Sequence, residues 1–436
     1  MKLTIHRGAK EIGGSCVEVT AGRTRVIVDL GMPLVSPWNK KEKLETRGFA
    51  KKSSQELLDM AVLPKVAGLY AMDGGGAVVD AVLLSHPHQD HYGLLGHIRP
   101  GIPVYLSDGC RRIIEASDIF LPIKANIRNP VVIDDRKPVK IGDITVTPYL
   151  MDHSGYGALA FLIEGDGKKV FYSGDFRAHG RKAALFPKFV RTAPQGVDCL
   201  LMEGTTLGRE GRAPETETDI EEKIAGIARR YKGIKLVYAS GQNIDRLVSF
   251  YKAAKSIGGV FIVDLYTAFV LDSLGNKNIP HPCANHKNLR VIYTKNYVIK
   301  LAQAGREDAV KRYRGSEITL REIAKAGEKA FLMYRESIRP KIEKIGDFKD
   351  AAMIYSMYEG YKREELFKKV QSFLDENKIM LETAHTSGHA SFDDLKRLAV
   401  ALKPNVLTPI HTFNPERYAE LWPKVRSLND GETFEL

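Results

Sequence analysis

Residues 85–93 read SHPHQDHYG, and they follow directly on the apolar run AVLLS (81–85). Four side chains able to ligate a metal, His86, His88, Asp90 and His91, fall within six positions. Side chains alternate along extended backbone, so a strand running out into a loop projects His86 and His88 from one side. Asp90 and His91 then open HYGLLGHI, a segment expected to be helical. Donors from this single turn can therefore face two metal positions. Imidazole and carboxylate without thiolate suit zinc or manganese, with magnesium also admitted. A lone histidine in such a place is more often structural, but packing alone does not call for four donors at this spacing.

A chain of 436 residues exceeds one ordinary core, so two domains, or one domain with a large insertion, are expected. Hydrophobic residues at 44% and charged residues at 27% belong to a soluble globular protein rather than a fibrous or disordered one. Lys and Arg total 65 against 53 Asp and Glu, a net charge of +12. That surplus suits a polyanionic partner such as nucleic acid, and equally a merely basic soluble protein. The cysteines, Cys16, Cys110, Cys199 and Cys283, lie far apart with no C-x-x-C, which argues against a cysteine zinc site or a dithiol redox pair. Cys16 and Cys199 sit in apolar strand-like runs and read as small core residues. The start of the chain lacks an apolar signal core, and no stretch approaches the ~20 apolar residues that span a bilayer. A reduced cytoplasmic setting with no membrane partner is expected.

Short strands broken by glycine open the chain: KLTIHRG, SCVEVTAG and TRVIVDLG. Residues 33–60 are polar and basic and read as a surface excursion. Further strands are expected at 80–86, 103–107, 144–153, 158–165, 169–176 and 198–206. The pattern then changes. ETETDIEEKIAGIARRYKG reads as a helix with an acidic first turn and a basic last turn, as the helix dipole favours. IKLVYAS, NIDRLVSFYKAAKSIGG and GVFIVD follow as strand, helix and strand, the mark of a parallel α/β unit. Residues 296–379 read mainly as helix, with a strand at 353–359. KIMLETAH, DDLKRLAVALKP and VLTPIH return to strand–helix–strand. Neither repeats nor low-complexity tracts occur.

HPHQDH resembles the signature of the metallo-β-lactamase superfamily. Further polar residues each end an apolar run: Asp29 in VIVDLG, His153 in YLMDHSGYG, Asp175 in FYSGDFR and His411 in LTPIH. Taken singly, any of them is an ordinary strand cap. In this order the resemblance implies two divalent ions. His86, His88 and His153 would hold one, Asp90, His91 and His411 the other, with Asp175 bridging and Asp29 orienting a ligand histidine.

Other motifs narrow the likeness. GAKEIGGSCVEV, VIVDLGMP, SGDFRAHG, LLMEGTT, ASGQNIDRL and HTSGHASFDDLKRLAVALKPNVLTPIH resemble the β-CASP nucleases, and ribonuclease J and its relatives among them, in the corresponding order. The likeness covers most of residues 1–270 and 380–414. It implies an α/β fold: an αββα metallo-β-lactamase sandwich with an inserted α/β β-CASP domain. The expected boundaries are 1–206 for the first part of the sandwich, 207–379 for the insertion and 380–436 for the return. Asp90 would orient or deprotonate water, and His389 would donate a proton to the leaving oxygen. Glu203 would hold His389. His385, Ser387 and Gly388 are candidates for gripping a phosphate in a polar turn. Ser240 and Arg246 are candidates for touching the nucleic-acid backbone, against the plainer reading of a surface serine and a solvated arginine. The basic runs KRYRG (311–315) and YKREELFKK (361–369), with Tyr313, Tyr355, Tyr358 and Tyr361 nearby, are expected to join the sandwich face in a basic cleft for a single strand. Solvated helix faces and core tyrosines are the plainer alternative.

The function so implied is two-metal hydrolysis of phosphodiesters in single-stranded RNA, as exonuclease, endonuclease or both, with a DNA-directed β-CASP nuclease as the alternative; RNA is favoured because DNA-acting relatives tend to carry valine where His411 stands. The other readings are a catalytically silent nucleic-acid-binding subunit, which typically lacks ligands kept here, and a small-molecule metallo-hydrolase, which needs no basic cleft. Two departures stand out. The last histidine is followed by HTF (411–413) where ribonuclease J usually shows HGE, and about two dozen residues follow it where that enzyme carries a further domain. Expectations of a homodimer and of 5′-to-3′ processivity are weakened accordingly.

Overall fold

Alternation along the strands sets the layers. In Leu159–Gly165, Leu159, Phe161 and Ile163 join one apolar cluster while Ala160 and Leu162 join another. Lys168–Tyr172 and Cys199–Met202 divide in the same way. Such two-sided burial follows from the period of two and needs apolar cover on both faces.

The computed structural model describes residues 1–46, 48–74, 78–209, 211, 213–283 and 285–436, without the side chains at 40 and 41. The chain forms two compact units: Met1–Ala213 with Gly388–Leu436, and Pro214–Ser387.

The first unit holds a two-stranded sheet, Val35–Ser36 with Asn39–Lys43, and two large sheets. One runs, in spatial order, Glu432–Glu435, Lys2–Arg7, Cys16–Ala21, Thr24–Val28, Ala81–Leu83, Val104–Leu106 and Pro130–Val132. The other runs Val406–Pro409, Cys199–Met202, Lys168–Tyr172, Leu159–Gly165, Ile144–Leu150 and Val139–Ile141. Val26, Val28 and Leu83 of the first meet Phe161, Val170 and Leu201 of the second in the middle core. Outside the first sheet, Ile27, Val82 and Val104 pack with Cys110 and Ile114 of the helix Asp108–Phe120. Outside the second, Phe171 and Leu200 pack with Phe186, Phe189, Leu395 and Leu398 from helices Leu185–Arg191 and Phe392–Leu402. Helix, sheet, sheet and helix therefore stack as four layers around three apolar seams.

The second unit is built on a six-stranded sheet whose strands all run parallel: Leu289–Ile292, Val260–Asp264, Ala330–Met333, Lys235–Tyr238, Ala352–Tyr355 and Met380–Thr383. Helix Glu365–Glu376 lays Phe367, Val370, Phe373 and Leu374 on one face of it. Residues 380–383, expected to begin the return to the sandwich, instead pair in register with Ala352–Tyr355 as an edge strand of this sheet. The unit also contains strand Ala330–Met333 within the stretch that reads as helical. That strand is four apolar residues buried on both sides, too short for any period to declare itself.

Of the segments expected to be helical, HYGLLGHI is shorter than anticipated. Gln89–Tyr92 makes one turn, and Leu95–His97 a separate 3₁₀ turn. Among the described residues no helix is long and apolar enough to cross a membrane.

Candidate metal centre

Parallel pairing gathers the site. Val28 pairs with Leu83, so Asp29 and His86 leave their strands at the same sheet edge. Tyr172, Leu201 and Thr408 lie side by side in parallel register, so Asp175, Glu203 and His411 emerge together in the other sheet. Ile144–Leu150 is antiparallel to Leu159–Gly165, which is antiparallel to Lys168–Tyr172, so His153 leaves at that edge too. The Leu159 amide donates to the Ser85 carbonyl at 2.8 Å and joins the two edges. Asp29 and His411 both have left-handed backbone, φ 59° and 55°, a conformation uncommon outside glycine.

The donors form two adjoining groups. His88 Nδ1 lies 3.1 Å from both His86 Nε2 and His153 Nε2. His153 Nδ1 donates to the Gly388 carbonyl at 2.5 Å, which leaves Nε2 with its lone pair facing inward. In the second group His411 Nε2 is 3.2 Å from Asp90 Oδ2 and 3.3 Å from His91 Nε2. Asp175 stands between the groups: its Oδ2 is 3.2 Å from His91 Nε2 and 3.7 Å from His86 Nε2. Every donor named in the sequence reading for the two ions, His86, His88, Asp90, His91, His153, Asp175 and His411, is thus in one cluster.

This cluster fits divalent cations on its own chemistry. One His88 nitrogen cannot donate a proton to both of its imidazole neighbours, so lone pairs converge there without a hydrogen to share. Both carboxylate oxygens of Asp175 are buried among imidazoles, with His91 Nε2 nearest at 3.2 Å, a costly place for a carboxylate unless positive charge meets it. Burial pushes the His86 and His153 rings well below the ordinary histidine range and His88 to about 4, so that these three stay neutral, as metal ligands must be. Around His91 burial is outweighed by Asp175, Asp29 and Asp90, which raise its pKa: this half of the cluster calls for positive charge. Burial opposes ionisation of Asp90 and Asp175 as well, but the neighbouring imidazoles prevail and hold both carboxyls low.

Supporting contacts surround the donors. Asp29 accepts from His91 Nδ1 at 2.8 Å, Ser85 N and Oγ at 2.7 Å each, and Tyr172 OH at 2.8 Å. Thr205 Oγ1 lies 2.9 Å from His411 Nδ1, while Thr412 Oγ1 turns away to the Gly204 carbonyl. The residue after His411 therefore leaves its ring alone, and Thr205 holds it instead. Ser85, Tyr172, Thr205 and the buried pair Asp152–Arg177, 3.6 Å apart beside His153, were missed by the sequence reading. Their only signal was adjacency to a ligand or, for Tyr172, an inward strand position.

His389 and Glu203 sit at the margin. His389 Nδ1 is 3.3 Å from Glu203 Oε2 and 3.6 Å from Asp175 Oδ2. Burial disfavours the charged ring, but Glu203 and Asp175 win and lift His389 to about 9. Glu203 is itself held by the amides of Phe176, Thr205 and Ala390.

The expected substrate contacts fare differently. Arg246 is fully buried, and its guanidinium is spent on Glu217 at 3.0 Å and on Ser356, Ala384 and Thr386. The expectation that it touches a phosphate is corrected: the helix Ile244–Ser256 buries that face, and an unpaired arginine there would be costly. Ser240 is half-buried and accepts from the Gln242 amide. His385 and Ser387 end the second unit, half-buried, and Gly388 begins the return of the first. Tyr313 and Tyr355 are core residues, whereas Tyr358 and Tyr361 are exposed and meet edge to face.

A family model described as a beta-lactamase superfamily domain matches residues 72–237. The chain is 24% identical over 396 residues to ribonuclease J of Sinorhizobium meliloti, covering 86% of this chain and 66% of that one. The chain carries a β-lactamase superfamily domain and resembles ribonuclease J. With ribonuclease J of Helicobacter pylori (strain ATCC 700392 / 26695) it shares 20% identity over 432 residues, 94% of this chain and 56% of the relative. With the transcription termination factor FttA of Methanothermobacter thermautotrophicus it shares 26% over 272 residues, 57% of this chain and 39% of the relative. The chain spans a third to two thirds of the length of such relatives. A crystal structure of a protein of unknown function from Enterococcus faecalis V583 has the same fold, with a TM-score of 0.80 at 20% identity over 100% of this chain and 99% of that one.

Proposed function

We propose that this β-lactamase-superfamily chain is a metal-dependent nuclease that hydrolyses phosphodiester bonds in single-stranded nucleic acid, RNA by preference. The observation that carries the reading is the His389–Glu203 pair standing against a cluster of seven buried or half-buried metal donors. A small-molecule hydrolase needs the cluster but not the pair. A silent binding subunit needs neither.

In this reading His86, His88, His153, Asp90, His91, His411 and Asp175 would hold the divalent ions. Zinc or manganese suits these nitrogen and oxygen donors. Divalent ions bound here supply Lewis acidity toward a phosphodiester and lower the pKa of water. The chain's own residues do the rest. Asp90 accepts a hydrogen bond from the attacking water and orients it. His389 gives its proton to the departing ribose oxygen, and Glu203 keeps the imidazole turned toward that oxygen. Asp29, through His91 Nδ1, fixes that ring with its other nitrogen inward. The preference for RNA rests on the likeness to ribonuclease J and suits the net charge of +12.

The deciding experiment incubates the protein with end-labelled single-stranded RNA and DNA in Mn²⁺ or Zn²⁺, beside Asp90→Ala and His389→Ala. Cutting of RNA that both substitutions abolish is expected. Equal cutting by the variants overturns the assigned roles, and binding without cutting in every metal makes the chain a silent subunit.

A further inference from the structure

We infer that the second unit carries a separate zinc site, made by His281, Cys283 and His286 in the segment HPCANH (281–286). It shares no residue with the histidine–aspartate cluster, and it does not depend on the nuclease reading.

One ligand atom from each of the three side chains lies within 4.8 Å of the other two. Cys283 Sγ is 3.3 Å from His286 Nδ1, and the two imidazole centroids are 5.0 Å apart. A tetrahedral zinc between a thiolate and an imidazole nitrogen holds them roughly 3.6 Å apart, from its usual bond lengths. The trio therefore stands close to the spacing that the ion imposes. His281 Nδ1 lies 2.8 Å from the Ile279 carbonyl oxygen. Donation from that nitrogen leaves Nε2 as the ring's lone pair, the arrangement usual for a ligating histidine.

Local backbone arranges the donors in advance. Pro280 and Pro282 stiffen the chain on both sides of His281. The His286 amide donates to the Cys283 carbonyl at 3.1 Å, and the Leu289 amide to the His286 carbonyl at 2.8 Å. The site thus adjoins Leu289–Ile292, the edge strand of the sheet. All three side chains are half-buried, which leaves an ion a way in. Three donors leave a fourth tetrahedral position for water. The expectation against a cysteine zinc site came from the lack of C-x-x-C, a test blind to one cysteine flanked by histidines.

Cobalt tests the site selectively, because a thiolate ligand gives Co²⁺ a charge-transfer band in the near ultraviolet and the other cluster has no thiolate. The full-length protein titrated with Co²⁺ should develop that band and saturate it at one ion per chain. Cys283→Ser should abolish the band, and His281→Ala and His286→Gln should each weaken its half-saturation at least tenfold, with circular dichroism confirming the fold. Zinc retained after dialysis should fall by one ion per chain in Cys283→Ser, with RNA cutting unchanged. No band at saturating cobalt, a band that survives Cys283→Ser, or unchanged zinc content overturns the proposal.

Discussion

His389 Nδ1 stands 3.3 Å from Glu203 Oε2, and three backbone amides fix that carboxylate in turn. Under the proposed function, Glu203 acts through the imidazole. His389→Ala should lower kcat on single-stranded RNA by about 10²- to 10⁴-fold, the range of a lost general acid. Glu203→Gln should cost less, and the double variant no more than His389→Ala alone. With a nitrophenyl phosphodiester, whose leaving group needs no proton, both variants should approach the parent rate. Losses that multiply in the double variant, or that persist on the activated ester, would show that the two residues act separately or elsewhere.

Asp29 collects four hydrogen bonds, one of them from His91, a proposed metal ligand. Asp29→Asn keeps the size but removes the charge and turns one acceptor into a donor among donors. Metal affinity should drop about 10- to 100-fold, as for other residues that orient a ligand. Competition with a chromogenic chelator reads this directly. An affinity unchanged within twofold would mean that His91 needs no such support.

Gly31 lies against the turn that carries Asp90 and His91: the Leu30 amide donates to the His91 carbonyl at 2.8 Å and the Met32 amide to the Gln89 carbonyl at 2.9 Å. A Cβ on Gly31 would come 1.7 Å from the Asp90 carbonyl oxygen. Gly31→Ala should destabilise by about 3 kcal/mol or more, at the upper end of single substitutions, and deplete bound metal. Gly226 is the contrast. It lies inside helix Glu217–Arg230 with open space where a Cβ would go. Gly226→Ala should stabilise by about 0.5–1 kcal/mol. Urea unfolding of both variants checks the pair.

Glu18 accepts from His6 Nε2 at 2.8 Å and from Arg25 Nε at 2.7 Å. Burial raises its carboxyl, but these bonds outweigh it and hold the pKa at about 2 against the ordinary 4.5. The folded state thus prefers the ionised form. The resulting stability, on the order of 3 kcal/mol, is fully present above pH 4.5 and is lost as the pH falls toward 2. Glu18→Gln should be less stable than the parent near pH 6, and the gap should close through that window. A gap of the same size at pH 3 and pH 6 would place the effect in packing rather than charge.

Much of this site is written locally in the chain. Runs such as VIVD, FYSGD and LTPIH set a donor just past a buried strand, so Asp29, Asp175 and His411 announce both their chemistry and their place at a strand end. The packing of HPHQDH into one strand exit is equally local. Arg246 shows the opposite case. A lysine- and arginine-rich surface and a buried arginine look alike along the chain, and only the packing around Glu217 distinguishes them. Strand Ala330–Met333 and the sheet edge Glu432–Glu435 are likewise too short to carry a readable period.

Residue identity and local periodicity determined which side chains can bind a metal or move a proton, and which stand at the end of an apolar run. Which of them meet in the histidine–aspartate cluster was decided by strand pairing between distant parts of the chain: His91 faces His411. The same pairing gave Thr205, Ser85 and Tyr172 their supporting places. The physical reason is range. Side-chain chemistry and backbone alternation act over a few residues, whereas lone pairs and buried charges are brought together only when whole sheets close over a shared core.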